Sequence, residues 1–144
     1  FRLPAKVDYR AVPRVTYTDP ELAWVGMSET DARAKYGEIR VLRFPFDQND
    51  RAVADRTTDG FVKVITSKKG IVVGAGVVGA HAGELIQIWI LPIARAMHIK
   101  HIAGLIAPYP TLGDSNKRAA GTYFTPSLFG SRVKTIVKLL AKFG

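Results

Sequence analysis

The sequence predicts an α+β fold, a mainly antiparallel sheet of about four to five strands with helices packed on it. Three observations carry that reading. β-Branched runs crowd the first part of the chain and longer helical patterns the second, so strands come early and helices late instead of alternating. Two of those runs, residues 60–67 and 71–78, are separated only by Lys68-Lys69-Gly70, and a turn that short makes antiparallel neighbours. The chain is 144 residues long, 47% apolar and 23% charged, which is ordinary composition for one hydrophobic core.

Taken in order, residues 1–11 read as an arriving linker, with Pro4 inside it and Pro13 just beyond. From Arg14 to Thr18 polar and apolar residues alternate, a half-buried strand that Asp19-Pro20 ends. Ser28-Glu29-Thr30-Asp31 resembles a capping box, and Gly37 is placed as a C-cap, which predicts a helix over 29–36. Residues 39–46 form a second strand whose Pro45 calls for an edge or a bulge. After the hairpin comes the longest helical pattern, 82–97. It carries Leu85, Ile86, Trp89, Ile90 and Ile93 on one face and is kinked or restarted at Pro92. A helical turn at 101–106, a Pro108-Tyr109-Pro110 corner, a helix over 112–123 and a basic amphipathic helix over 126–144 complete the chain. The main domain is therefore expected over 12–125.

Composition removes several classes of function. No cysteine is present, which excludes disulfides, thiol catalysis and zinc–thiolate sites. His81, His98 and His101 have no carboxylates at metal-ligand spacing, and each reads as structural. The longest apolar run, residues 88–94, is far short of the roughly 18 residues a membrane span needs. Phe1 is not preceded by Met and opens no signal-peptide pattern, so a cut from a longer, cytoplasmic protein is expected. The net charge of +9 is uneven: residues 1–60 carry ten basic and ten acidic groups, whereas 61–144 carry eleven basic groups against Glu84 and Asp114. That asymmetry leaves open a basic module for nucleic acid or a membrane surface. The aromatics do not interleave with the basic residues as a stacking platform would, so no nucleic-acid partner is expected. In the tail, Val133, Ile136, Val137, Leu140 and Phe143 form a stripe beside Lys134, Lys138 and Lys142. It reads as a helix covering another domain or subunit, with membrane-surface contact as the alternative.

Two motifs carry candidate chemistry. Gly74-Ala75-Gly76-Val77-Val78-Gly79 fits G-x-G-x-x-G after a strand and before a helix, the setting of a dinucleotide-binding turn. A free-standing nucleotide-binding domain is thus one alternative. Against it, nothing acidic lies between Glu84 and Asp114 to hold a ribose, and the strand belongs to a hairpin, not to a βαβ unit. The glycines read better as positions where a strand bends and a helix packs closely. In the second motif, Tyr109-Pro110-Thr111-Leu112-Gly113-Asp114, a phenol and a carboxylate stand five residues apart across a proline corner, with Thr111 as a helix cap.

Read together, three segments in order resemble the C-terminal interface (dimerisation) domain of the pyridine nucleotide-disulfide oxidoreductases. These are Val12-Pro13-Arg14-Val15-Thr16-Tyr17-Thr18-Asp19-Pro20-Glu21-Leu22-Ala23-Trp24-Val25-Gly26, the glycine run with Ala82-Gly83-Glu84-Leu85-Ile86, and Tyr109 through Asp114. The similarity covers roughly residues 12–125 and is greatest to the dihydrolipoamide dehydrogenase and mercuric reductase branches. It implies a homodimeric parent in which NAD(P)H reduces FAD, the flavin reduces a disulfide and the dithiol reduces the substrate. The FAD and NAD(P) domains would precede this chain, which alone would be inactive and would bind no cofactor. In the family a His-Pro-Thr-x-x-Glu segment enters the partner subunit's active site. Here Tyr109 stands at the His position and Asp114 at the Glu position. A phenol titrating near 10 donates a hydrogen bond where an imidazole near 6.5 would shuttle protons. By resemblance, Tyr109 would donate to a thiolate or bound substrate, Asp114 would orient nearby groups from the first turn of the next helix, and Tyr109-Pro110 would be cis. The Tyr substitution puts ordinary dihydrolipoamide oxidation in doubt, and the absence of a C-terminal cysteine pair does the same for mercuric reduction.

Overall fold

The computed structural model describes residues 9–128. Its centre is a five-stranded, wholly antiparallel sheet in the order β1-β2-β5-β4-β3. The strands are β1 (Arg14–Thr16), β2 (Glu21–Gly26), β3 (Ile39–Pro45), β4 (Phe61–Ser67) and β5 (Val72–Gly79). The expected hairpin is β4–β5, closed by the Gly70 amide donating to the Ser67 carbonyl. β3, the strand containing Pro45, is an edge strand as its proline requires. Along it Arg40 lies 4.4 Å from the Tyr123 ring centroid and Arg43 lies 5.8 Å from that of Phe61.

Two elements were not anticipated. β2 turns back from β1 after a cis Asp19-Pro20 bond, so the dipeptide that ends one strand also begins the next. α2 (Asp50–Asp55) is a six-residue helix capped by Asn49, whose Oδ1 accepts from the Ala52 amide at 3.0 Å. α1 (Glu29–Tyr36) forms as its caps predict: Ser28 Oγ accepts from the Asp31 amide, and Gly37, at φ +69°, sends its amide to the Arg33 carbonyl.

The long helical pattern differs from its expectation. Instead of one helix broken at Pro92 there are α3 (Ala82–Leu85), a 3₁₀ stretch (Ile86–Trp89) and α4 (Ile90–Ala94). Proline has no amide to donate and its ring collides with the carbonyl four residues back. Tightening the turn before Ile90 puts Pro92 inside a new first turn, where that amide has no helical partner to lose. The later helices are α5 (Lys100–Ala103), α6 (Asp114–Gly121) and α7 (Thr125–Leu128). Residues 9–11 form a 3₁₀ turn with Ala11 buried. The stripe from Val133 to Phe143 lies outside the described residues, as do residues 1–8 of the expected linker.

One face of the sheet meets the helical segments that follow β5. Val62, Val64, Ala75 and Val77 from the sheet pack with Ile86, Trp89, Ile93, Ile99, Ile102, Ala119 and Ala120, all buried. Each large side chain so buried contributes roughly 1.5–3 kcal/mol. The opposite face is covered by α1, whose Ala32 packs with Ile39, Ile65 and Val73. Glu29 of α1 is also tied to Lys63 of β4 at 2.9 Å, and the hydrogen bonds from Lys63 and then Arg33 hold its carboxyl below the usual range.

The glycine run is inside this sheet. Gly74, Gly76 and Gly79 belong to β5, paired with Gly26, Trp24 and Glu21 of β2, while Gly74 and Gly76 also face Ile65 and Lys63 of β4. The segment is a central strand whose amides serve two ladders, not a turn that cradles a pyrophosphate. A Cβ on Gly76 would stand 2.9 Å from Trp24 Cε3. At Gly79 φ is +135°, and a Cβ would lie 2.5 Å from Cε2 of the fully buried Phe46. Gly79→Ala is therefore expected to lower stability by about 2–4 kcal/mol, because neither the backbone nor the ring can yield cheaply. A urea titration checks this: the midpoint falls while the slope is kept.

Candidate functional site

The site is the segment between α5 and α6. Pro108 leads into a cis Tyr109-Pro110 bond, as the resemblance implies. Thr111 then fixes the corner locally, its Oγ1 donating to the Pro108 carbonyl at 2.7 Å and accepting from the Asp114 amide at 3.3 Å. Thr111 was expected to cap the helix; it braces the turn ahead of α6, whose N-cap position is occupied by Gly113 without a side-chain bond. Asp114 opens α6 and is almost buried, where a negative charge suits the positive end of the helix. Its Oδ2 takes the Arg118 Nε–H at 2.6 Å, an i,i+4 ion pair whose bond raises the guanidinium pKa further above its ordinary value. The Arg118 guanidinium also lies 5.6 Å from the Phe44 ring centroid.

The structure does not pair Tyr109 with Asp114. The phenol, 68% exposed, donates instead to Asp50 Oδ2 at 2.6 Å. Its pKa is raised above 10.0, first by that hydrogen bond and then by the Asp50 charge and burial; Arg118 opposes and Asp114 reinforces the shift. Asp50 was missed in the sequence because it is 59 residues away on a helix too short to show a period. A second tie comes from its neighbour: Asn49, 2% exposed, donates from Nδ2 to the Thr111 carbonyl at 3.0 Å. The start of α2 thus holds both the backbone and the ring of the corner.

From the core side the corner is placed by Asn116. Its Oδ1 accepts from Trp89 Nε1 at 2.8 Å and its Nδ2 donates to the Leu85 carbonyl at 3.1 Å, all in buried surroundings. These two bonds lock α6 onto the helical run beneath it. Of the histidines, His81 lines a shallow surface pocket with Arg51, Asp55, Glu84 and the corner residues Pro110 and Thr111. His98 packs edge-on against Tyr123 at 5.7 Å and accepts the Lys100 amide on Nδ1, and burial pushes its pKa down. His81 occupies a left-handed backbone position ahead of α3. Among the described residues no group of three or more His, Asp or Glu side chains could hold a metal ion, and no helix is long and apolar enough to cross a membrane.

Beside the corner lies an apolar groove of about 290 Å³ lined by Leu85, Ile88, Leu105, Ile106 and Pro108 among others. Ile106 is 98% exposed, and Leu91 and Leu105 are also open to solvent.

A five-stranded antiparallel sheet covered by α1 on one face and by the later helical segments on the other defines an α+β domain. Residues 12–120 match the family model described as "Pyridine nucleotide-disulphide oxidoreductase, dimerisation domain". The chain belongs to that family. It is 42% identical over 118 residues to the dihydrolipoyl dehydrogenase of Bacillus subtilis (strain 168), covering 81% of this chain and 25% of that one. To the mitochondrial dihydrolipoyl dehydrogenase of Sus scrofa it is 39% identical over 114 residues, covering 78% of this chain and 22% of that one. The solved structure of LpdA from Mycobacterium tuberculosis superposes with a TM-score of 0.76 at 29% identity, over 83% of this chain and 26% of the other. The chain thus spans about a quarter of the length of these relatives.

Asn116→Ala is expected to cost about 2–4 kcal/mol, since it strands the buried Trp89 indole N–H and the Leu85 carbonyl and opens a small void. The check is calorimetric: a lowered Tm, together with faster amide exchange at the start of α6.

Proposed function

We propose that this chain is the interface domain of an FAD-dependent, NAD(P)H-driven disulfide oxidoreductase that acts as a homodimer in the cytoplasm. Each subunit presents Tyr109 and Asp114 to the partner subunit's redox centre, at the positions the family gives to His and Glu. The FAD and NAD(P)H sites belong to other domains of that parent, because the glycine run here is committed to strand pairing and does not fit a pyrophosphate. Residues 12–125 are the interface domain in this reading, and residues 126–144 its C-terminal appendage.

One observation carries the proposal. The exposed Leu105 and Ile106 line the apolar groove beside Pro108, within four residues of Tyr109, on a chain whose family is defined by dimerisation. Apolar side chains left open on a well-packed domain mark a surface that is covered in the assembly, and a second copy would meet it across a two-fold axis. The same axis would carry Tyr109 toward the partner. A phenol whose pKa is raised keeps its proton at neutral pH, so it orients and hydrogen-bonds groups there and does not act as the base.

Ile106→Glu tests the surface. Sedimentation of the wild-type chain at micromolar to high-micromolar concentration is expected to show dimer, and the variant to dissociate on the order of ten- to a hundred-fold more readily, the equivalent of one buried isoleucine. A wild-type chain that stays monomeric, or a variant that associates equally well, would overturn the assignment. Tyr109→Phe in the full-length enzyme tests the site by slowing turnover; unchanged turnover reduces the ring to packing. Titration of the chain with NADH, NADPH and FAD is expected to give no sub-micromolar binding.

A further inference from the structure

A phenol carries one proton and two lone pairs. In this structure the Tyr109 proton lies in a 2.6 Å bond to Asp50, a length typical of a hydroxyl donating to an ionised carboxylate. We propose that Asp50 is a positioning residue for Tyr109: it engages the phenol's proton, so that Tyr109 meets the partner subunit's redox centre through its lone pairs, as a hydrogen-bond acceptor. The inference rests on the reading of Tyr109 as a site residue and changes what that residue offers. A bare thiolate gains nothing from an acceptor. A group that still holds a proton does, so the chemistry recognised at this point is a thiol, a hydroxyl or an ammonium.

The placement of Asp50 supports the role. It is the first residue of α2, directly after the buried cap Asn49, whose Nδ2 holds the Thr111 carbonyl. Two consecutive residues therefore fix the corner at both its backbone and its ring tip. Asp114, the carboxylate that sequence spacing pairs with Tyr109, is engaged by Arg118 at 2.6 Å. The carboxylate that orients the phenol is thus the distant one. The charged groups acting on the phenol are Asp50 on α2 and Asp114 and Arg118 on α6, and the two carboxylates together outweigh the guanidinium in keeping the phenol protonated.

Two measurements test this. In the full 144-residue chain, tyrosine labelled at the ring Cζ reports each phenol's titration by NMR, with the Tyr109 line assigned by its loss in Tyr109→Phe. Asp50→Asn, which keeps the shape and removes the charge, is expected to lower the Tyr109 midpoint toward 10.0. An unmoved midpoint would overturn the pairing. In the full-length flavoenzyme, Asp50→Asn is expected to slow turnover on the order of three- to ten-fold, the kinetic equivalent of one solvent-screened hydrogen bond. It should have no further effect in a Tyr109→Phe background, and Asp50→Glu should recover part of the loss. Equal losses in both backgrounds would make Asp50 a prop for the fold and overturn its action through Tyr109. If Tyr109→Phe leaves turnover intact while Asp50→Asn still shifts the titration, the failure lies in the active-site reading, which takes the acceptor role with it, and not in the Asp50 pairing.

Discussion

The enclosure of β5 is the constraint on which the rest of the structure depends. It pairs along both edges, with β2 and β4, and it is covered above and below by the helical layer and by α1. A strand shut in on four sides has no room for ordinary side chains everywhere, so it alternates valines that fill the layers with glycines where Trp24 and Phe46 approach the backbone. That need explains a sequence that looks like a nucleotide fingerprint: both require glycine for close approach, one to a ligand and the other to aromatic rings. Once β5 is fixed, the helical run after it must lie across the sheet, and α6 must follow so that Asn116 can reach Trp89.

The corner bearing Tyr109 inherits its geometry from this arrangement. Asn116 anchors the helix after it to the core, and Asn49 ties its backbone to α2. Both asparagines are buried with their side-chain amides engaged on two sides, which specifies one arrangement where apolar contacts would tolerate several. The exposed ring of Tyr109 thus projects from a rigid mount, with its hydroxyl held by Asp50. The positioning of the ring is supplied from within its own domain.

Elements whose signal is local were legible in the sequence. The capping box of α1, the β4–β5 hairpin and the edge position of β3 each follow from residues within a few positions of one another. β2 was hidden because its outward residues, Leu22 and Trp24, are as apolar as its inward ones, so no alternation shows. α2 was hidden by its length, since six residues do not complete two turns. Tyr109 and Asp114 were singled out through an ordered motif, and the cis bond at Tyr109-Pro110 agrees with what that motif implied. The distant partners of the corner were not found, because Asp50 meets the Tyr109 ring and Asn49 the Thr111 carbonyl only after the sheet has brought together segments some 60 residues apart. Spacing along the chain joins Tyr109 to Asp114, whereas folding gives each a different companion.

The arginines on β3 bear on how copies of this chain can assemble. Among the described residues β3, seven residues long, is an edge strand, and the unpaired amides and carbonyls of such an edge are a template for another strand. Here that seam ends in a proline with no amide, and Arg40 and Arg43 stand on opposite faces of the strand, each close to an aromatic ring. Two β3 strands brought side by side would crowd four guanidinium groups onto one short seam, two from each copy. Side-by-side pairing along β3 is thereby made costly, whereas the groove beside Pro108 sets one acidic and one basic residue, Glu84 and Lys117, among its apolar side chains. A contact through β3 is therefore disfavoured, and association is left to other surfaces of the domain.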